Sequence, residues 1–494
     1  MAMISAESMK DYYHRGHSGR NVNEENGDRG GLIFNGHHEV STGSESDRVA
    51  INLSERGGMN HNLVATAPSA DFISLVRTDQ CSEIEPSEMS PFLSFLHQLA
   101  YSSTFVEKEQ MPKQSYYIVA LPGDGIGPEV LAAALRVLSV AGELFQIDFR
   151  VEEIPCGGHY YVQHGIEWPD GSFEKCAAAD AIVLGAVGHE VDGKTVFTKP
   201  GHPYPEPQLA GFAQVILNRQ KLDLYANVRP VKLYPGVKHK IHGVLKQVWD
   251  ADKVDYVVIR ENTEDAYTGE TNPIPDGQVT PIRITRRATE RVVRYAFNLA
   301  RRRNKQHKVT CVDKSNIIGA HRFFRDVFRE IGEREFPELK LDYAYVDAFC
   351  QWQIRNPEWY DVVVGPNLVG DIVSDNGATT AGGLGLAVGG NIGDEHAMFE
   401  PIHGSAPKHA GKDKANPLAA ILSVQMMLEW LGTRHADERL LRAAEQVESA
   451  VAALLSEGKT LTYDLIGEAK ASRCSEVGAA VEEKLRMMAG GSAT

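Results

Sequence analysis

The chain has 494 residues, 43% of them hydrophobic. That is more than one core usually organises, so two domains, or one domain with a long extension, are expected. Its 66 acidic and 51 basic side chains leave a formal charge of -15, which would repel a phosphate backbone and excludes nucleic acid as a general partner. No apolar run approaches the roughly 20 residues that a membrane span requires, so no membrane partner is expected.

Residues 1–114 form a zone of their own, rich in Ser, Asn, Gly, His and acids, and are expected to be a disordered N-terminal extension. Residues 91–100, around Phe92-Leu93-Ser94-Phe95-Leu96, offer a short amphipathic helix within it. The zone lacks an apolar signal core, and Glu7, Asp11, Glu24 and Glu25 spoil a transit-peptide composition. The six cysteines (Cys81, Cys156, Cys176, Cys311, Cys350, Cys474) show neither disulfide nor zinc spacing, which fits a reducing compartment. Cytoplasm is the default, with an organelle left open.

From Tyr116 the texture changes to apolar runs alternating with helical periodicity. Tyr117-Ile118-Val119-Ala120-Leu121 predicts a buried strand, and Pro122-Gly123-Asp124-Gly125-Ile126-Gly127-Pro128-Glu129 a glycine turn opening a helix. Pro128 stands where a dinucleotide fingerprint demands its third glycine, so a standard Rossmann fold is not expected. Further strands are predicted at Ala181-Ile182-Val183-Leu184, Tyr256-Val257-Val258-Ile259, Lys308-Val309-Thr310-Cys311-Val312 and Asp361-Val362-Val363-Val364, with helices between them. This alternation predicts an α/β sheet covered by helices. Arg301-Arg302-Arg303 ends a helix that begins near Arg286, where cations complement the helix dipole. Residues 418–488 are predicted to be mostly helical.

Several residue types along this scaffold carry chemistry. Asp371 and Asp375 stand four residues apart, on one helical face, and can grip one hard divalent cation. Arg219, Arg229 and Arg260 suit bidentate capture of carboxylates, the clamp that a di- or tricarboxylic acid would need. Any one of them alone is more often a surface ion-pair residue. Tyr267 and Lys314 are candidates for proton transfer, and Lys314 gains weight because Val312-Asp313-Lys314-Ser315-Asn316 ends an apolar strand.

Taken together, the motifs 122–129, 222–230, 260–269, 312–316, 345–348, 367–375 and 399–417 closely resemble those of the isocitrate/isopropylmalate dehydrogenase family, the metal-dependent β-decarboxylating hydroxy-acid dehydrogenases. The likeness runs over residues 116–483. It implies an α/β, isopropylmalate dehydrogenase-like two-domain fold with a central mixed sheet. Residues 115–224 and 382–494 would form a large cofactor-binding domain, and 225–381 a small domain for substrate, metal and dimerisation. It further implies Arg219, Arg229 and Arg260 on the substrate's carboxylates, Tyr267 and Lys314 as the catalytic pair, and Asp347, Asp371 and Asp375 as Mg²⁺ or Mn²⁺ ligands. In that family the lysine and the first aspartate come from a partner subunit, so a homodimer with shared active sites is expected.

Glu400, His403, Gly404, Ser405, Ala406, Lys408, His409, Asn416 and Tyr463 match the family's cofactor contacts. Lys408-His409 resembles the Lys-Tyr pair of NADP-dependent relatives, whereas NAD enzymes carry an acid at the Lys408 place; Gly467 stands where those NADP relatives have an arginine. NADP is therefore expected ahead of NAD. Phe212-Ala213-Gln214-Val215-Ile216-Leu217-Asn218, which by resemblance meets the substrate's third carbon, is largely apolar and favours a 3-substituted malate of isopropylmalate type. Glu261-Asn262-Thr263-Glu264-Asp265 and the segment from Thr462 to Glu476 instead resemble isocitrate enzymes. A noncatalytic regulatory subunit, or a scaffold that recruits partners through its extension, is a rival class that intact Tyr267, Lys314, Asp371 and Asp375 speak against.

Overall fold

The computed structural model describes residues 49–54, 60–65, 113–201 and 207–491. The chain divides into two compact units, Met1–Glu107 and Lys108–Thr494. In the first, Val49–Ser54 and Asn60–Ala65 pair as an antiparallel ladder. The helix expected at residues 91–100, and the rest of the extension expected to be disordered, lie outside the described residues.

The second unit is built on one ten-stranded sheet. In chain order its strands are β1 (Ser115–Gly123), β2 (Asp148–Glu153), β3 (Ala181–Ala186), β4 (Ala226–Lys232), β5 (Asp255–Glu261), β6 (Lys308–Asp313), β7 (Lys340–Tyr345), β8 (Val362–Gly365), β9 (Val388–Ile392) and β10 (Ala397–Pro401). Across the sheet the order is β7-β6-β8-β5-β4-β9-β10-β3-β1-β2. Four parallel strands at each end (β7, β6, β8, β5 and β10, β3, β1, β2) are joined through antiparallel β4 and β9. This is a mixed sheet, so the α/β expectation and the rejection of a standard Rossmann order both hold.

The apolar runs read from the sequence become strands buried on both faces. Ile118 and Ala120 of β1 enter one core cluster while Val119 and Leu121 enter another, the period of two that a doubly covered strand requires. Edge strand β2 is mostly exposed, and its charged sequence, Asp148-Phe149-Arg150-Val151-Glu152-Glu153, gave no apolar run to find. One end of the sheet is covered by α1 (Gly127–Phe145), α6 (Leu418–His435), α7 (Glu438–Glu457) and α8 (Cys474–Gly491), which pack on one another. At the other end lie α2 (Arg286–Arg303), α3 (Gly319–Glu335), α4 (Val346–Arg355) and α5 (Asn367–Ala378), where Phe297 of α2 stacks on Phe328 of α3 at 5.1 Å. The arginine run closes α2 as expected, with Asn304 in the left-handed conformation after it. No described helix is long and apolar enough to cross a membrane.

What positions the site is the approach of α5 to β5. Arg260 of β5 pairs in register with Gly365 of β8, and β8 leads through Pro366 directly into α5. Gly370, in the first turns of α5, lies against the Arg260 stem, so closely that a Cβ there would fall 2.7 Å from the Arg260 Cβ. Gly370→Ala should therefore push the helix off the strand, costing about 1–3 kcal/mol of stability in urea unfolding. An unchanged midpoint would show that the contact has slack.

Candidate active site

The side chains converge at the C-terminal ends of β5 and β8, where sheet architectures of this kind leave a crevice. Arg219, Arg229 and Arg260 are all buried, at 7%, 6% and 2% exposure. Arg260 bonds Asp371, donates through Nε to Asn367 at 2.9 Å, and lies with its guanidinium 5.0 Å over the Tyr267 ring. Arg229 reaches Asp375 at 3.0 Å, Asp371 at 3.3 Å and the Ser374 hydroxyl at 2.8 Å, and its Nε donates to Asn227 at 3.0 Å. Arg219 pairs with Glu400 at 2.8 Å, leaving its buried Nε without a partner. The Tyr267 hydroxyl donates to Asp371 at 3.0 Å.

Crowding of like charge sets the electrostatics. Burial, reinforced by Arg229 and Arg219, pulls the Arg260 guanidinium down to about 9. Burial pushes the Asp371 carboxyl up, but Arg260 and Arg229 outweigh it and hold the group below its ordinary value. Asp375 goes the other way: burial raises it, and the attraction of Arg229 does not compensate. Burial also raises Tyr267, against the pull of Arg260, which keeps the phenol protonated and able to donate.

Lys314 and Asp347 stand apart from this cluster. Lys314 follows the end of β6 and bonds Asp347, at the start of α4, at 2.5 Å. Among the described residues no three acidic, histidine or cysteine side chains come together as a metal set, so within one chain Asp347 does not join Asp371 and Asp375. The two α5 carboxylates do share one face. Hard oxygen donors, an ionised Asp371 and a half-exposed Asp375 fit one side of a divalent cation's shell, and completing it requires donors from elsewhere.

The cofactor-matched residues line a loop that packs on the glycine turn. Gly125 has φ +59, and a Cβ there would fall 2.0 Å from the Ser405 carbonyl oxygen, which accepts the Ile126 N–H at 2.8 Å. Glu129, at the start of α1, accepts the N–H groups of Asp413 and Ala415 at 3.1 and 3.2 Å and so ties down the far end of the loop. His403 bonds the Gly404 carbonyl at 3.0 Å, Gly404 is open, and Ala406 has φ 41. Lys408 is exposed; the His409 ring lies 5.7 Å from that of Tyr463, over which the Lys414 ammonium sits at 4.5 Å. Asn416 bonds Asp464 at 2.9 Å and caps α6 through the Leu418 N–H at 3.0 Å. Lys414 is paired with Glu468 at 2.7 Å, so an exposed Lys408, the Tyr463 ring and an open glycine are the features that suit a dinucleotide. Glu400, by contrast, is spent on Arg219 and Asn391.

Reading the sequence alone missed the amides and hydroxyl that hold the arginines. Asn227, Asn367 and Ser374 bond the guanidiniums directly, and Asn391 links Asn227, Asn262 and Glu400. Only their place beside the charged residues, as in Asn367 four before Asp371, hinted at them. Asp124, buried within the glycine turn, was likewise missed, and it gathers the N–H groups of Gly158, His159 and Gly188, each at 2.8 Å.

A mixed sheet with buried arginines, a protonated tyrosine and paired carboxylates at its strand ends defines an enzyme acting on a small acid. The family model for isocitrate/isopropylmalate dehydrogenase matches residues 117–481. A 3-isopropylmalate/3-methylmalate dehydrogenase of Methanocaldococcus jannaschii is 40% identical over 336 residues, covering 67% of this chain and 90% of the relative. A 3-isopropylmalate dehydrogenase of Thermobifida fusca is 39% identical over 383 residues, 74% of this chain and all of the relative (100%). The crystal structure of isocitrate dehydrogenase from Methylococcus capsulatus is similar at a TM-score of 0.64 and 33% identity, over 75% of this chain and 99% of that one. The chain belongs to the isocitrate/isopropylmalate dehydrogenase family and is an oxidoreductase of its β-decarboxylating type, acting on CH–OH.

The charge balance yields a pH prediction. Because the folded-state pKa of Asp371 lies below its ordinary 3.8, its stabilisation is full above the unfolded value and is lost as pH falls through the folded one. Asp371→Asn should therefore cost about 1–2 kcal/mol near neutrality, with the gap to wild type closing in acid. Urea titrations with a chelator present give the comparison, and a gap that widens in acid would contradict this balance.

Proposed function

We propose that the protein oxidises a 3-substituted (2R)-malate, of the 3-isopropylmalate type, passing hydride to a nicotinamide dinucleotide and releasing carbon dioxide. The observation that carries this reading is the buried cluster of three arginines around Asp371 and Tyr267, which fixes several guanidinium donors at one place. A hydroxy diacid offers the carboxylates that such donors suit. Arg219, Arg229 and Arg260 would hold its carboxylates, fixing the hydroxyl-bearing carbon toward the nicotinamide. Lys314 would take the hydroxyl proton, the C–H bond pair leaves as hydride, and the β-carboxylate departs as carbon dioxide. The Tyr267 phenol then delivers its proton to the carbon left behind.

Asp371 and Asp375, with Asp347 of a second copy, would hold Mg²⁺ or Mn²⁺. When bound, the ion would polarise the hydroxyl and stabilise the negative charge that develops as carbon dioxide leaves. We propose a homodimer because Lys314 and Asp347 pair away from the cluster within one chain. We likewise keep the domain division 115–224 with 382–494 against 225–381, which puts Arg219 and Glu400 across the substrate cleft from Arg229, Arg260, Tyr267 and Asp371.

The substituent preference draws support from the segment before Arg219. Its π-helix, Ala213–Leu217, has buried Ala213 and Val215, while its single polar member, Gln214, is fully buried and donates to the Glu167 carbonyl at 3.0 Å. Asn218 is buried against the sulfurs of Cys176 and Met398. Neither amide is free to hold a third carboxylate. Isocitrate remains the second reading, favoured by the isocitrate dehydrogenase among the similar structures. NADP is favoured over NAD by the exposed cation Lys408, since Lys414, over the Tyr463 ring, is paired with Glu468.

With Mg²⁺ or Mn²⁺, kcat/KM for 3-isopropylmalate should exceed that for isocitrate, malate and tartrate, and NADP⁺ should outperform NAD⁺; isocitrate turning over faster would install the second reading. Lys408→Asp should shift the NADP⁺ to NAD⁺ ratio about tenfold or more toward NAD⁺, and an unmoved ratio would remove Lys408 from the phosphate contact. Tyr267→Phe and Lys314→Met should each lose about 10²-fold or more in kcat. Mixed and refolded together, they should recover about a quarter of wild-type activity, since half the pairs carry one intact shared site. No recovery would place both residues in one chain's site.

A further inference from the structure

His321, the third residue of α3, is only 3% exposed and has no part in the chemistry above. Its Nδ1 lies 3.0 Å from the backbone nitrogen of Lys314. A backbone N–H can only donate, so Nδ1 accepts and the ring carries its proton on Nε2. That second nitrogen is buried and has no hydrogen-bond partner. The charges that pull on the ring are those of Asp265 and Asp313, and both carboxylates are committed elsewhere. Asp313 takes Arg325 at 2.7 and 3.0 Å and the Ser315 N–H at 2.7 Å. Asp265 takes the N–H groups of Ala266 at 2.8 Å and Leu368 at 2.9 Å, the latter in the first turn of α5. Burial holds the imidazole below its ordinary value of 6.5 against the pull of the two acids, in keeping with a neutral ring.

The Lys314 carbonyl is also occupied, accepting from Ile317 at 3.1 Å and Ile318 at 2.9 Å. Both backbone groups of Lys314 are thus held, while its side chain reaches Asp347 at 2.5 Å. We propose that His321 is the positioning residue of Lys314: as the neutral Nε2–H tautomer it anchors the Lys314 N–H and fixes where the end of β6 presents the side-chain amine. A protonated ring would set one donor against another and release the turn. The inference rests on the assignment of Lys314 to proton transfer.

Two variants of the full-length enzyme separate this from a packing role. His321→Phe keeps a ring of similar shape without the acceptor, and His321→Asn returns an amide oxygen near the place of Nδ1. The phenylalanine variant should lose about tenfold or more in kcat with KM for substrate and dinucleotide moving less than about twofold, and the asparagine variant should recover most of the loss. Hydrogen exchange at the Lys314 amide should speed up in the first variant and stay slow in the second. Nitrogen NMR of the wild-type imidazole at about pH 7.5 should find Nδ1 without a proton. A protonated Nδ1 overturns the inference without any variant. Wild-type kcat in His321→Phe, with Lys314→Met inactive, overturns it while leaving the role of Lys314 intact; an active Lys314→Met enzyme removes that role and the inference with it.

Discussion

Three guanidinium groups held side by side out of water constrain everything else in this molecule. Like charges in a poorly hydrated space are costly, and the cost is met only where acids and amides are aimed at them. Asp371 answers Arg260 and Arg229, Asp375 also answers Arg229, Glu400 answers Arg219, and Asn227, Asn367 and Ser374 accept further N–H groups, while the Arg219 Nε keeps no partner. Four structural elements must therefore stay in register: the π-helix before Arg219, β4, β5 and α5. Gly370 lets α5 come close enough to do so. Guanidinium donors fixed in this way suit the carboxylates of an anionic substrate.

The same burial sorts the titratable groups into roles. Asp371 is held ionised and Tyr267 protonated although they are hydrogen-bonded to each other, because the arginines favour the anion on the stronger acid while burial keeps the phenol neutral. That is the division a proton donor beside a cation-binding carboxylate needs. Lys314 sits in a different environment, at the end of β6 beside an exposed Asp347. Its backbone is pinned at N–H and carbonyl while its side chain reaches outward, a geometry suited to a group that acts across an interface.

In the loop proposed to hold the cofactor, backbone N–H groups do the positioning, accepted by one carbonyl and two carboxylates. The glycine turn and the loop around residues 402–416 touch through the Ile126 N–H and the Ser405 carbonyl, and Glu129 holds the loop again at Asp413 and Ala415. The turn itself is braced by Asp124, a buried carboxylate surrounded by N–H groups. The loop that carries Lys408 and His409 is thus set by the junction between β1 and α1.

The sequence by itself determined the class of fold and the chemical inventory. Runs such as Ile118-Val119-Ala120-Leu121 cannot be solvated on either face, so they must be strands under helices, and Asp371 and Asp375 must share a helical face wherever the helix goes. The edge strand β2 was hidden, since an exposed edge needs no apolar run. Only the tertiary structure decided the mixed order of the sheet and the gathering of Arg219, Arg229 and Arg260 around Asp371 while Lys314 and Asp347 stand apart. It alone revealed Asn227, Asn367, Ser374 and His321 as their holders. The physical reason is that hydrophobic period is a local property, legible over a few residues, whereas a hydrogen bond from residue 260 to residue 367 exists only after β5 and α5 have been packed together.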